Sequence, residues 1–170
     1  GYLETGFRLM TLALPNLSSG LSVLTVEGLL EARAIIEVPA AELAAERRSL
    51  PQLHAMELAL QTQEPNSEVH VMHRNFHDVI FEASGNALLA TVSLPIYAVI
   101  DERFIHDRAP ETMASEIADD HRRIYNAIRA KDVAEAGTAM REHLSHLHGV
   151  YMAMERTNIK AMDSTQTSSS

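Results

Sequence analysis

Apolar residues recur at spacings of three and four from Thr25 onward, and this spacing places them along one side of a helix. The same stretch is rich in Ala, Leu, Glu and Arg, which favour helices, and contains few glycines. No run shows the strict alternation of apolar and polar residues that is typical of a half-buried strand. The pattern therefore predicts an all-α fold.

Turn and capping residues divide this pattern into helices. Thr25 is a plausible N-cap for a first helix, and Pro39 is expected to kink or interrupt that helix at its middle. Gly85 and Asn86 are expected to close the third helix, as glycine commonly does after a helix C-terminus. The predicted helices span residues 25–48, about 51–62, from a turn and cap at 65–68 to 84, about 87–106 with a kink at Pro95, 111–130, and 132–158.

Charge and composition limit the possible functions. The 170 residues carry 23 acidic and 14 basic side chains, a formal net charge of −9, so their surface should repel a nucleic-acid backbone. The chain has no cysteine, which excludes disulfides and thiolate metal sites and is compatible with the cytoplasm. The longest nearly apolar run, 88–100, is shorter than the roughly 20 residues of a membrane span. We expect a soluble, cytoplasmic domain that does not itself bind DNA.

Three segments are expected along the chain. Residues 1–24 are interpreted as a linker or the remnant of a missing N-terminal domain, and residues 25–158 as the helical domain. Residues 159–170 are rich in Ser and Thr and are expected to form a flexible tail.

Several of the nine histidines fall on apolar helix faces. His121 lies within a stripe formed by Ile117, Ile124 and Ile128, and His143 lies three residues after Met140 on the apolar face of the last helix. A further pair, at positions 73 and 77 of the third helix, has i,i+4 spacing and adjoins that helix's apolar side. Three helices are thus predicted to direct histidines towards a common interior.

These histidines have two interpretations. A single inward histidine is more often a hydrogen-bonded core residue than a metal ligand. Several buried imidazoles together favour a metal, because each needs a polar partner and an unpaired buried polar group costs roughly 1–3 kcal/mol. Imidazole ligands favour Zn²⁺, Ni²⁺, Cu²⁺ or Fe²⁺ over Mg²⁺ or Ca²⁺. The other histidines, at positions 54, 70, 106, 146 and 148, are expected at the surface or the rim.

Arg33 is the second candidate, on the inward side of the first helix. An inward guanidinium is either salt-bridged, here with Glu37, or available to bind an anionic ligand as a planar fork that matches a carboxylate. The sequence alone does not choose between the two.

The ordered motifs resemble the FadR-type C-terminal (FCD) domain of GntR-superfamily transcription regulators over about residues 25–155. The residues that carry the resemblance are Glu31-Ala-Arg33 with Glu37, Ala40-Ala41 with Ala44-Ala45, Phe76-His77 followed by Gly85-Asn86, His121 with Ile124, and Met140 with His143-Leu144. The resemblance implies an antiparallel bundle of six or seven helices.

The resemblance also implies a metal site of one aspartate and three histidines, with His77, His121 and His143 in the histidine roles. The family's aspartate lies four residues before the first of these, and this chain has His73 there. Either His73 ligates in its place, or three histidines hold the metal with water in the gap. Arg33 matches an arginine that often contacts the ligand. Asn86 joins it in the candidate ligand-binding set, although its main role is expected to be structural.

The function implied is that of an effector-sensing domain. It would bind a metal, Zn²⁺ or Ni²⁺ ahead of Fe²⁺ or Cu²⁺, and a small organic carboxylate that modulates DNA binding by an absent winged helix-turn-helix domain in a homodimer. The alternative is a metal-dependent enzyme using the multi-histidine site. A non-enzymatic role is favoured, because Asp78, Asp119 and Asp120 lie off the ligand face and are expected to be solvated or to orient ligands.

Overall fold

A computed structural model gives the fold. It describes residues 25–61, 69–104 and 111–167, and within them the side chains of 25–61, 75–100 and 115–153. These residues form six α-helices and no strand. The helices are α1 (Val26–Arg47), α2 (Leu50–Gln61), α3 (Val69–Ala83), α4 (Ala87–Phe104), α5 (Glu111–Ala130) and α6 (Val133–Thr167). The all-α prediction is confirmed.

Helix α1 begins as the sequence predicts but is not interrupted. The Thr25 side chain accepts a hydrogen bond from the backbone N–H of Gly28 at 3.0 Å and so caps the first turn. Pro39 lies inside one continuous helix, and the predicted break there is wrong. Proline removes the hydrogen bond to the carbonyl four residues earlier, and that residue, Ile35, is 68% exposed. Its carbonyl is therefore on the side of the helix that faces water.

Helix α1 is the centre of the bundle, since it contacts α3, α4, α5 and α6. Its most extensive contact is with α6. Beyond Pro39 its buried side is made of four fully buried alanines, at positions 40, 41, 44 and 45. Small side chains let two helix backbones approach closely, and α6, which makes the most extensive contact with α1, also buries small residues, Ala136 and Gly137. The packing of α1 on α6 therefore sets the relative position of the polar side chains that the two helices bury, among them Glu37 and His143.

Two tight turns and their caps set the ends of the helices. Gly85 closes α3 with a φ of +68°, a conformation that glycine adopts without strain, and the side chain of Asn86 accepts a hydrogen bond from the N–H of Leu88 at the start of α4. Between α5 and α6, Lys131 adopts a positive φ of 59°, and the side chain of Asp132 caps α6.

Two observations depart from the prediction. Helix α6 continues to Thr167, beyond the predicted end at 158 and into the segment predicted to be a flexible tail. Val133, assigned from the pattern to the buried face of α6, is exposed. The predicted end of the fourth helix at 106 and the predicted turn at 65–68 lie outside the described residues. No helix in the described ranges is long and apolar enough to span a membrane.

Candidate metal centre

Three imidazoles meet in the interior of the bundle. His77 comes from α3, His121 from α5 and His143 from α6, and all three are buried. Each offers one nitrogen, and these atoms lie within 4.8 Å of one another. The ring centroids are 4.7 to 5.3 Å apart. The structure thus brings together three of the four histidines that the sequence singled out.

The apolar stripes explain this convergence. On α5 the residues flanking His121 at helical spacing, Ile117, Ile124 and Ile128, are all buried, so the imidazole between them must face the core. On α6, Met140 and its apolar neighbours carry His143 inward in the same way.

An aromatic ring closes one side of the cluster. Phe76 is fully buried and stacks on the ring of His121, with centroids 4.5 Å apart and an interplanar angle of 25°. The imidazoles therefore lie against apolar surface rather than water, where electrostatic interactions are stronger than in solvent.

Glu37, a residue of α1, contacts the cluster from a fourth helix. Its Oε2 lies 2.6 Å from Nδ1 of His77, and both side chains are buried. Its Oε1 accepts hydrogen bonds from Arg33 Nε at 2.5 Å and from the hydroxyl of Tyr97 at 3.0 Å. One carboxylate thus joins α1, α3 and α4 at the edge of the candidate site.

The buried pair on α1 is held in its charged form. Burial by itself would raise the pKa of Glu37, but Arg33 and His77 beside it hold that pKa well below its usual range. Burial would likewise lower the pKa of Arg33, and the Glu37 carboxylate holds it above its usual value. Glu37 is therefore a fixed anion next to His77, and Arg33 balances its charge.

A second carboxylate contacts His143. Asp120 Oδ2 lies 3.3 Å from Nδ1 of His143 and 2.9 Å from Nδ1 of His146, which is exposed. Burial would raise the pKa of Asp120, but its hydrogen bonds with the two histidines lower it. Of the aspartates expected to be solvated or to orient ligands, Asp120 contacts two histidines, whereas Asp119 is exposed.

Two imidazoles of the cluster are disposed to be neutral. Burial, together with the neighbouring charges of His143, His77 and Arg33, holds the pKa of His121 well below its usual value. Burial also lowers the pKa of His143, to about 4, although Asp120 opposes the shift. Neutral imidazole is the form that binds a metal.

The remaining sequence candidates have different surroundings. Arg33 is fully buried and is salt-bridged to Glu37, which was one of its two interpretations. His73 belongs to α3, but its side chain lies outside the described ones. Asn86 is exposed at the helix cap. Of the histidines expected at the surface, those at 54, 146 and 148 are exposed, and those at 70 and 106 lie outside the described side chains.

The donor set fits a divalent transition metal. Three imidazoles are a common ligand set for Zn²⁺, with a fourth position left for water or a ligand, and they also suit Ni²⁺, Cu²⁺ and Fe²⁺. The three nitrogens lie within 4.8 Å of one another, and a bound ion would require them to move closer together. The residues present are compatible with the implied metal.

Comparison with known proteins identifies the domain. The sequence profile of the FCD domain matches residues 28–146. This chain belongs to the FCD-domain family. The match covers the three imidazoles, Glu37 and Arg33, so the candidate centre lies within the FCD domain.

Individual relatives place this FCD domain among GntR-family regulators. It is 31% identical over 144 residues to LutR of Bacillus subtilis (strain 168), described as an HTH-type transcriptional regulator, and the match covers 79% of this chain and 66% of LutR. A GntR protein of Streptococcus agalactiae has a similar structure, with a TM-score of 0.63 and 25% identity, over 76% of this chain and 63% of that one. The chain thus spans less than two thirds of the length of either relative.

A third relative shows the fold alone. E. coli McbR/YncC superimposes with a TM-score of 0.62 over 75% of this chain and 68% of its own, at 14% identity. The helical arrangement of this FCD domain therefore persists where little sequence identity remains.

The sequence did not reveal the contact between Glu37 and the imidazole of His77. The i,i+4 spacing of Glu37 from Arg33 predicted only the salt bridge between them. No local pattern in the sequence connects Glu37 to a residue of α3. An acidic residue on the buried side of α1, beside an inward arginine, was the available signal that this end of the core is polar.

Proposed function

We propose that this FCD domain is the effector-sensing part of a bacterial transcription regulator. It binds a divalent transition metal, Zn²⁺ or Ni²⁺ ahead of Fe²⁺ or Cu²⁺, on His77, His121 and His143. A small organic carboxylate occupies the metal's remaining positions. The observation that carries the proposal is the convergence of three buried imidazoles from three helices within 4.8 Å.

The chemistry of the metal is that of a Lewis acid that binds an anion without reacting with it. Three neutral imidazoles leave the full dipositive charge of the ion on the site, and that charge favours an anionic ligand over a neutral one. The description of LutR as a transcriptional regulator supports sensing rather than catalysis.

Arg33 is the cation that we assign to the effector's carboxylate. It supports this role that Arg33 is bonded to Glu37, whose other oxygen contacts His77 of the imidazole cluster. The planar guanidinium suits a carboxylate, although Glu37 already engages part of it. The effector's carboxylate would therefore either displace Glu37 from Arg33 or share the guanidinium with it.

Transmission to DNA is proposed through a winged helix-turn-helix domain N-terminal to these residues, in a cytoplasmic homodimer. The relatives support this, since LutR carries an HTH designation and this chain spans 66% of its length. An effector shifts DNA binding only as far as it prefers one arrangement of the helices over another. The net charge of −9 agrees with DNA contacts lying outside this domain.

Metal content tests the first part of the proposal. Protein purified without an affinity tag or chelator should contain about one transition-metal ion per chain, measured by elemental analysis. The His121→Ala variant should lose it, whereas the control His54→Ala, an exposed histidine on α2, should retain it. A metal-free parent protein that also fails to take up added Zn²⁺ or Ni²⁺ would contradict the assignment.

Ligand screening tests the second part. Small mono-, di- and tricarboxylic acids added to the metal-loaded protein should include one that raises the melting temperature. That shift should be lost after chelation of the metal and reduced in Arg33→Lys, which keeps the charge but not the planar fork. If no carboxylate stabilises a protein shown to hold its metal, the effector class is wrong.

A further inference from the structure

We infer that Glu37 is a positioning residue for the metal centre, and that it fixes the imidazole of His77 with Nε2 as the ligand nitrogen. The inference rests on the proposed metal-binding function and adds to it a residue from a helix that supplies none of the three imidazoles. The observation behind it is the distance of 2.6 Å between Glu37 Oε2 and His77 Nδ1, with both side chains buried.

The tautomer follows from the contacts of the carboxylate. Glu37 forms an ion pair with Arg33 and accepts from the hydroxyl of Tyr97, so it is an acceptor towards Nδ1 of His77 at 2.6 Å, and that nitrogen is assigned the hydrogen. A neutral imidazole with its hydrogen on Nδ1 has its lone pair on Nε2. The contact therefore selects one of the two nitrogens for the metal and also fixes the orientation of the ring.

Glu37 is itself held rigidly. Arg33 donates from Nε to Oε1 and from Nη2 to Oε2, and Tyr97 donates its hydroxyl to Oε1. Arg33 Nη2 also lies 3.3 Å from the Tyr97 hydroxyl. Because two other side chains hold the Glu37 carboxylate in place, the carboxylate can hold the imidazole of His77 in one orientation. A metal ligand requires such a fixed orientation.

A parallel contact on the other side of the site supports this interpretation. His143 also directs Nδ1 at a carboxylate, that of Asp120, at 3.3 Å. Two of the three imidazoles thus have the same nitrogen engaged by an acidic side chain, from two different helices. Histidines that bind metals commonly donate their other ring N–H to such a partner.

The rival explanation is that Glu37 is only the counter-ion of a buried arginine. In that case its removal would change the stability of the protein but not the tautomer of His77 or the affinity for metal. The two explanations are separated by replacing the whole pair, as in Arg33→Met/Glu37→Leu, which leaves no buried charge unpaired. The pair is neutral in sum, so its loss leaves the net charge next to the metal unchanged.

The first experiment needs no metal. Imidazole ¹⁵N chemical shifts of the metal-free protein near pH 7.5 should identify His77 as the Nδ1–H tautomer in the parent. In Arg33→Met/Glu37→Leu the same residue should shift towards a mixture with the Nε2–H form, whereas the exposed control Glu31→Gln on the same helix should match the parent. An Nε2–H tautomer in the parent, or an unchanged tautomer in the double variant, would overturn the inference.

The second experiment measures affinity for Zn²⁺ by competition with a chromophoric chelator. Loss of a partner that orients a metal-binding histidine weakens binding by about 10- to 100-fold, and we expect a loss in that range for the double variant and none for Glu31→Gln. Asp120→Asn should show a smaller loss, with its exposed neighbour Asp119→Asn as the matched control. Equal affinities for the parent and a folded double variant would overturn the inference.

A double variant that does not fold leaves two measurements in place. These are the tautomer of His77 in the parent and the Zn²⁺ affinity of Tyr97→Phe, which keeps the ion pair but removes one hydrogen bond to Glu37. A several-fold loss is expected for Tyr97→Phe, and an unchanged affinity counts against the inference. A parent protein that binds no Zn²⁺ contradicts the proposed function. The tautomer measurement uses metal-free protein, so it tests the role of Glu37 independently of metal binding.

Discussion

The two halves of α1, before and after Pro39, bury very different surfaces in one helix. The first half buries two charged side chains, Arg33 and Glu37, among apolar residues, and the second half buries only the four alanines at positions 40, 41, 44 and 45. Both surfaces are almost completely removed from water. They differ in what the burial requires of their neighbours.

The alanine half needs only shape. An alanine has no rotamers to lose and no polar group to satisfy, so its packing depends on how closely the neighbouring helices approach. The charged half needs specific partners, because each ion loses its hydration and recovers stability only through the other ion and the groups around it. One half can therefore be damaged by adding volume, and the other by removing a partner.

Arg33→Met should have the largest effect on stability. It leaves the Glu37 carboxylate buried without its arginine, and breaking a buried ion pair from one side costs about 3–5 kcal/mol. The measurement is the free energy of unfolding of the metal-free protein in urea. Arg33→Met/Glu37→Leu should recover most of that loss, because no charge then remains unpaired. If the double variant is as unstable as the single one, the arginine acts through packing rather than charge.

Ala44→Leu should have the next largest effect. The side chain is fully buried, and extra volume in a well-packed core costs about 1–3 kcal/mol. The control is Glu46→Leu, an exposed position two residues away, which should change the free energy of unfolding by less than about 0.5 kcal/mol. Equal effects of the two variants would mean that the core around Ala44 has room for a larger side chain.

The same contrast explains how far the sequence could go. The alanine half and the apolar stripes of α5 and α6 repeat at helical spacing, so the helices and the inward direction of His121 and His143 could be predicted. The contact of Glu37 with His77 could not, because it joins residues far apart in the chain and has no periodic signal. Continuity through Pro39 could not be predicted either, because the sequence does not show that the carbonyl of Ile35 faces water.

At the C-terminal end of α1, two arginines contact the ends of two other helices. Arg47 donates from Nη1 to the carbonyl of Ser84 at 2.9 Å, and Arg48 donates from Nη2 to the carbonyl of Arg129 at 2.7 Å. They therefore bind the C-terminal carbonyls that follow or end α3 and α5, where a cation also interacts favourably with the helix dipole.

Arg48→Ala should lower the free energy of unfolding by about 0.5–1 kcal/mol, the smallest of the three effects, because the carbonyl that it exposes can bind water instead. The loss should shrink in high salt, since the interaction with the dipole is screened. Arg48→Lys should recover part of it, because a lysine keeps the charge but not the planar donors. A loss as large as that of Ala44→Leu would mean that the end of α1 is held by this arginine rather than by the packing of its alanines.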